Sequence, residues 1–174
     1  MRFKGFLTIG TISVASLLLA ACVDNTVSRG TSGGFKGKYQ VARNALESGA
    51  YSKAIKSYKI LMKESGPLTS RVRLEYAHAL LRANLFEQAA HEARILSGSE
   101  TGDARIAALA VQATADHEMA RAAMANGARD ASVKDRLIAA RTAFDIVLKR
   151  GKTFDPLGAL AERRRVITGE ISAL

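Results

Sequence analysis

The sequence predicts an all-α protein, a short α-solenoid built from antiparallel helix pairs. Three observations carry that reading. Alanine recurs throughout, Trp is absent and Pro occurs only twice in 174 residues, which suits helices that approach closely. From Lys38 onward the apolar residues recur every three or four positions, the spacing of a helical face. A shift of 35 residues then lays one stretch of chain on another with small, apolar and turn residues in register.

The elements follow in chain order. Arg2 and Lys4 precede an uncharged stretch, residues 6–21, and small residues lead into Cys22, the only cysteine. A basic start, an apolar centre and small residues before a cut site make a secretory signal peptide. The stretch is 16 residues, just short of the roughly 17 to 25 of a spanning helix, and Thr8, Gly10, Thr11, Ser13 and Ser16 dilute it. Leu19-Ala20-Ala21-Cys22 closely resembles the lipobox of bacterial lipoproteins. The resemblance implies a diacylglyceryl group on the Cys22 sulfur, removal of residues 1–21, and acylation of the new amino terminus. Two or three chains, at about 0.8 kcal/mol per buried CH₂, make a stable anchor. In the enteric sorting pattern of that family, Asp after the cysteine retains a lipoprotein at the inner membrane. Val23 stands there instead, which points to the outer membrane, facing the periplasm.

Charge and cysteine usage then bound the partners. The chain carries a net charge of +10, but export removes nucleic acid as its target. Anionic lipid headgroups, cell-wall polymers or an acidic protein surface remain. With Cys22 lipidated there is no disulfide, so packing alone must hold the fold.

Residues 22–37 hold four glycines and small polar residues, and are expected to be a flexible tether spanning roughly 20 Å. Residues 38–174 form the helical domain. Its first helix carries Val41, Ala42, Ala45 and Leu46 on one face and ends at Gly49. The second carries Tyr51, Ala54, Ile55, Tyr58, Leu61 and Met62, and ends at Gly66-Pro67. Leu74, Ala77, Leu80 and Leu81 mark a third, broken near Asn84; Phe86, Ala89, Ala90, Ala93 and Leu96 mark a fourth, ended by Gly98. A long fifth helix is expected from about Asp103 to Ala125, before Asn126-Gly127. The sixth runs from about Ser132 to Arg150 with Leu137, Ile138, Ala140, Phe144 and Val147. Asp155-Pro156 is a favourable helix start, so a seventh, capping helix is expected from Pro156 to about Ile171, with Leu157, Leu160, Ile167 and Ile171 on one side.

The 35-residue shift pairs Ala42 with Ala77, Leu46 with Leu81, Gly49 with Asn84, Tyr51 with Phe86, Ala54 with Ala89, and Ile60 with Ile95. Gly49-Ala50-Tyr51-Ser52-Lys53-Ala54 resembles the turn into the second helix of a tetratricopeptide (TPR) repeat, with Tyr58 and Pro67 at familiar distances. Asn84-Leu85-Phe86-Glu87-Gln88-Ala89 is the second copy, with Asn for Gly. A third, degenerate copy aligns Leu137, Ala140, Phe144 and Val147 with Phe86, Ala89, Ala93 and Leu96 at a shift of 51, which requires a lengthened first helix and loop. The expected fold is thus two clear TPR repeats, one degenerate repeat and a C-terminal cap.

No catalytic or metal-binding constellation emerges. His91-Glu92 and His117-Glu118 lack the second histidine of His-Glu-x-x-His, since Ile95 and Arg121 stand there. Asp116, His117 and Glu118 are adjacent and should fan out over different helix faces, which leaves His117 as a satisfied or solvated side chain. No phosphate-cradling glycine loop or nucleophile elbow occurs. The protein is therefore read as non-catalytic, without a cofactor beyond the covalent lipid on Cys22.

What remains is surface. The TPR resemblance implies a concave groove lined by the first helix of each repeat. It would hold Tyr39, Arg43, Leu46 and Glu47 in the first copy, and Arg71, Leu74, His78, Leu81 and Arg82 in the second. Basic and apolar residues together suit a partner segment with acidic and apolar groups; the other reading is that Leu46, Leu74 and Leu81 are packed core and the arginines are merely solvated. Lys53, Lys56, Lys59 and Lys63 form a stripe, read as a solvated face or as a contact for anionic headgroups or an acidic partner. Arg163, Arg164 and Arg165 are read as solvated.

The architecture resembles small envelope lipoproteins that act as assembly factors, namely pilotins of secretins and the lipoprotein of tight-adherence (Tad) pilus systems. Those resemblances imply a lipid-anchored scaffold with a protein partner in the cell envelope. Two alternatives remain: an adaptor for cell-wall enzymes or outer-membrane-protein assembly, and a structural subunit of a large envelope complex.

Overall fold

The computed structural model describes residues 33–174, which form seven α-helices and, among the described residues, no strand. These are α1 (Phe35–Glu47), α2 (Tyr51–Leu61), α3 (Thr69–Arg82), α4 (Phe86–Ser99), α5 (Gly102–Ala125), α6 (Ala131–Leu148) and α7 (Ala159–Ser172). Each helix packs on the next in sequence, and α3 also touches α5. Short connections between packed neighbours make antiparallel pairs, so the fold is an all-α solenoid of helix pairs. No helix among the described residues is long and apolar enough to cross a membrane. Residues 1–21, Cys22 and most of the expected tether lie outside the described residues.

The 35-residue shift is visible in the backbone. Ser48, Gly49 and Ala50 leave α1 with φ of −80°, +79° and −78°. Ala83, Asn84 and Leu85 leave α3 with −85°, +59° and −87°. Asn84 is the only non-glycine with positive φ among the described residues, and Asn is the side chain that best tolerates that region after Gly. Its N–H reaches Leu81 O at 3.1 Å while Leu85 N–H reaches Leu80 O at 3.0 Å, the paired bonds of a Schellman stop. α5 ends the same way at Gly127, whose φ is +87°: Gly127 N–H meets Met124 O and Ala128 N–H meets Ala123 O, both at 3.0 Å. This third turn follows Asn84 by 43 residues rather than 35, because α5 has 24 residues where α3 has 14.

Packing follows the small residues. Ala42, Ala54, Ala89 and Ala90 are fully buried, which lets helix backbones come close around Tyr58, Leu61, Val72 and Leu80, and Ala77 and Ala93 are buried likewise beside Val111. A second cluster gathers Ile106, Leu109, Leu137, Phe144, Val147 and Ile167 from α5, α6 and α7. The four α6 residues aligned at the shift of 51 (Leu137, Ala140, Phe144, Val147) are all fully buried.

Several expectations are corrected. α1 begins at Phe35, not Lys38, because the Phe35 ring stacks on Tyr39 with centroids 6.2 Å apart and so extends the helix into the glycine-rich segment. α4 runs through Gly98 to Ser99. α7 begins at Ala159 rather than Pro156. Asp155 does cap it, accepting from Leu160 N–H at 3.0 Å and Ala161 N–H at 2.9 Å, but it reaches across a loop in which Gly158 takes φ +73°. Leu157 therefore precedes the helix and stands 92% exposed. Val41 and Ile60 carry helical spacing yet face solvent.

Candidate binding groove

One face of the molecule is lined by α1, α3 and α5, the first helix of each pair. At one end an open cavity of about 530 Å³ is bounded by Arg43, Leu46, Glu47, Arg71, Leu74, Glu75, His78 and Arg82. Seven of the nine groove positions expected from sequence meet here, all but Tyr39 and Leu81. They do so because α1 and α3 place equivalent faces side by side. Tyr39 does not line the cavity; it lies beneath, its hydroxyl 3.4 Å from Glu75 Oε1. Leu81 faces the adjoining compartment instead.

Glu75 organises the floor. It is buried on α3, and its Oε1 accepts from Arg43 Nη1 at 2.9 Å and lies 3.4 Å from Arg71 Nε. Arg43 also donates to Glu47 Oε1 at 2.6 Å, and these two carboxylates raise its pKa above the usual guanidinium value. Behind them burial pushes the Tyr58 phenol above its ordinary range, and its hydroxyl has no partner among the described residues. Glu47 and Glu75 are answered by Arg43 and Arg71, so a single positive charge, that of Arg82, is left over at the rim. Arg71 is largely exposed, and Arg82 lies over the Tyr51 ring, 5.8 Å from its centroid.

Two further compartments continue this face. One, about 520 Å³, shares Arg71 and Leu74 and adds Leu96, Ala104, Ala107 and Phe154. The other, about 380 Å³, shares His78 and is apolar, with Leu81, Ala107, Ala110, Val111, Phe154 and Leu160. The groove thus grades from charged at α1 to apolar at α5, where the loop bearing Phe154 leans over it. Glu75 and the whole α5 portion are absent from the sequence reading. Glu75 was within reach of it, four residues after Arg71 and so on the same helix face.

The remaining polar clusters are structural. Asp116 turns to Arg136 at 3.5 Å and Arg94 at 3.7 Å, and burial raises its pKa. His117 is buried between α5 and α7, its Nε2 2.8 Å from Glu170 Oε2 and its Nδ1 3.1 Å from Arg163 Nη1. Arg163 also donates to Glu118 at 2.6 Å, so His117 and Glu118 do meet, through one long guanidinium. Arg164 pairs with Asp145 at 2.8 Å and Arg165 with Glu162 at 2.6 Å. The arginine cluster read as solvated therefore carries acidic partners, two of them on neighbouring helices. No group of three His, Cys, Asp or Glu is placed to hold a metal ion among the described residues.

Compared with known proteins, the chain matches no family model, no curated protein and no solved structure.

Proposed function

We propose that this protein is a lipid-anchored, periplasm-facing scaffold that docks a segment of an envelope protein in the groove of α1, α3 and α5. Cys22 supplies the anchor, and no catalytic step is involved. The observation that carries the reading is the gathering of Arg43, Leu46, Arg71, Leu74, His78 and Arg82 along one open cavity. Its one positive charge in excess, left at Arg82 once Arg43 and Arg71 answer Glu47 and Glu75, lies beside the apolar walls at Leu81 and Val111 and favours a segment with an acidic residue followed by apolar ones. The resemblance to pilotins and Tad lipoproteins makes assembly of a secretin or Tad-type pilus the best candidate process.

A photo-crosslinker at Arg71 in living cells, followed by mass spectrometry, tests the docking. The expected product is a single envelope-assembly protein, and the adduct should fade when Arg82→Glu reverses the rim charge. Secretin multimers and pili that assemble normally after deletion of the gene would overturn the assembly role.

A further inference from the structure

We propose that the outward face of α2 rests on an anionic phospholipid surface, leaving the groove uncovered. Lys53, Lys56 and Lys59 on α2, and Lys63 in the turn after it, share one face at intervals of three, three and four. All four are exposed, and among the described residues none joins an ion pair. No acidic residue occurs from position 48 to position 63. Residues 35–65 hold seven Lys and Arg against two Glu, so half of the net charge of +10 sits in the first helix pair.

The repeat does not require this. At the equivalent positions α4 carries Gln88, His91, Arg94 and Gly98, and the one permanent cation there is paired with Asp116. The stripe is therefore a property of α2 itself, in the pair nearest the amino-terminal segment. Ile60 lies among the lysines and is 55% exposed. Flexible cationic heads on apolar stems, around one apolar side chain, match a surface of phosphate headgroups over acyl chains. No α2 residue lines the charged cavity, so contact through this face leaves Arg43, Arg71 and Arg82 free.

The inference uses the proposed anchor only to bring the domain to the bilayer, and the two can be tested apart. The full chain, purified from its host, is mixed with vesicles of phosphatidylcholine, with or without added phosphatidylglycerol, and its amines are labelled and read by mass spectrometry. Lys53, Lys56, Lys59 and Lys63 should label roughly fivefold more slowly on the anionic vesicles, the effect of each basic residue near such a surface. Lys134, Lys149 and Lys152, exposed on the far helix pair, should not change. High salt should abolish the protection, and Lys56→Gln with Lys59→Gln should weaken it at Lys53 and Lys63. Equal labelling on both vesicles overturns the inference. So does protection that appears only when envelope proteins are added, which would assign the face to an acidic protein. Loss of binding to phosphatidylcholine vesicles, with anionic binding and protection intact, would sink the anchor alone.

Discussion

Arg163 Nη1 can only donate a hydrogen bond, so its 3.1 Å approach to His117 Nδ1 requires a lone pair on that nitrogen. The proton must then sit on Nε2, where it is donated to Glu170 Oε2 at 2.8 Å. Both contacts describe a neutral imidazole. Burial holds its pKa below the ordinary 6.5 and Arg163 pushes the same way, while Glu170 and Glu118 oppose them; Arg121 draws on both carboxylates. The unfolded chain therefore takes up a proton that the folded chain refuses, and stability is fully present above pH 6.5 and declines as the pH falls through it. His117→Phe removes this titration and one hydrogen bond each from Glu170 and Arg163, which keep Arg121 and Glu118, a cost of about 1–3 kcal/mol. Urea unfolding of both proteins at neutral and mildly acidic pH measures the two effects. An unchanged acid dependence in the variant would show that His117 is not its source.

Helices α1, α3 and α5 end where the backbone turns left-handed, and those stops make their ends legible in the sequence. Gly49, Asn84 and Gly127 were each read as breaks, and each takes positive φ. Gly49→Ala meets no atom closer than 4.0 Å, so its cost is conformational, about 1–2 kcal/mol. Asn84→Gly, which relaxes the same angle, should leave stability nearly unchanged, and thermal unfolding of the pair separates backbone strain from packing. Asp155-Pro156 satisfies the local rule for a helix start, yet α7 begins at Ala159. Asp155 instead caps amide groups five and six residues on, a choice fixed by the Gly158 loop. The groove was legible for α1 and α3 because their faces repeat at 35 residues. It was not legible at α5, where ten added helical residues break the register, nor at Phe154, which belongs to a loop without periodicity. Ile60 and Ile95 show the opposite failure: they repeat faithfully and are 55% and 40% exposed, so repetition alone does not mark core.

Across the whole molecule, α5 is the one helix shared by both main cores. Ala115 and Met119 face the cluster around Tyr58 and Leu80, while Ile106, Leu109, Ala113 and Ala120 face the cluster around Phe144 and Ile167. A helix apolar on several sides is a buried helix, and here its two sides serve different neighbours. Solenoids of this kind are stabilised pair by pair, so damage at one end need not reach the other. Ile167 is fully buried on α7 against α5 and α6, and Ile167→Ala should cost about 2–5 kcal/mol. Hydrogen exchange would locate that loss. Amides of α6 and α7 should exchange faster, those of α5 should change less, and those of α1 and α2 should hold their native rates, because no residue of α7 belongs to their core. The charged end of the groove, from Arg43 to Arg82, would then keep its shape while the apolar end beside Phe154 loosens. Uniform acceleration across all seven helices would instead mean a single cooperative unit, with α5 transmitting strain between the two cores rather than separating them.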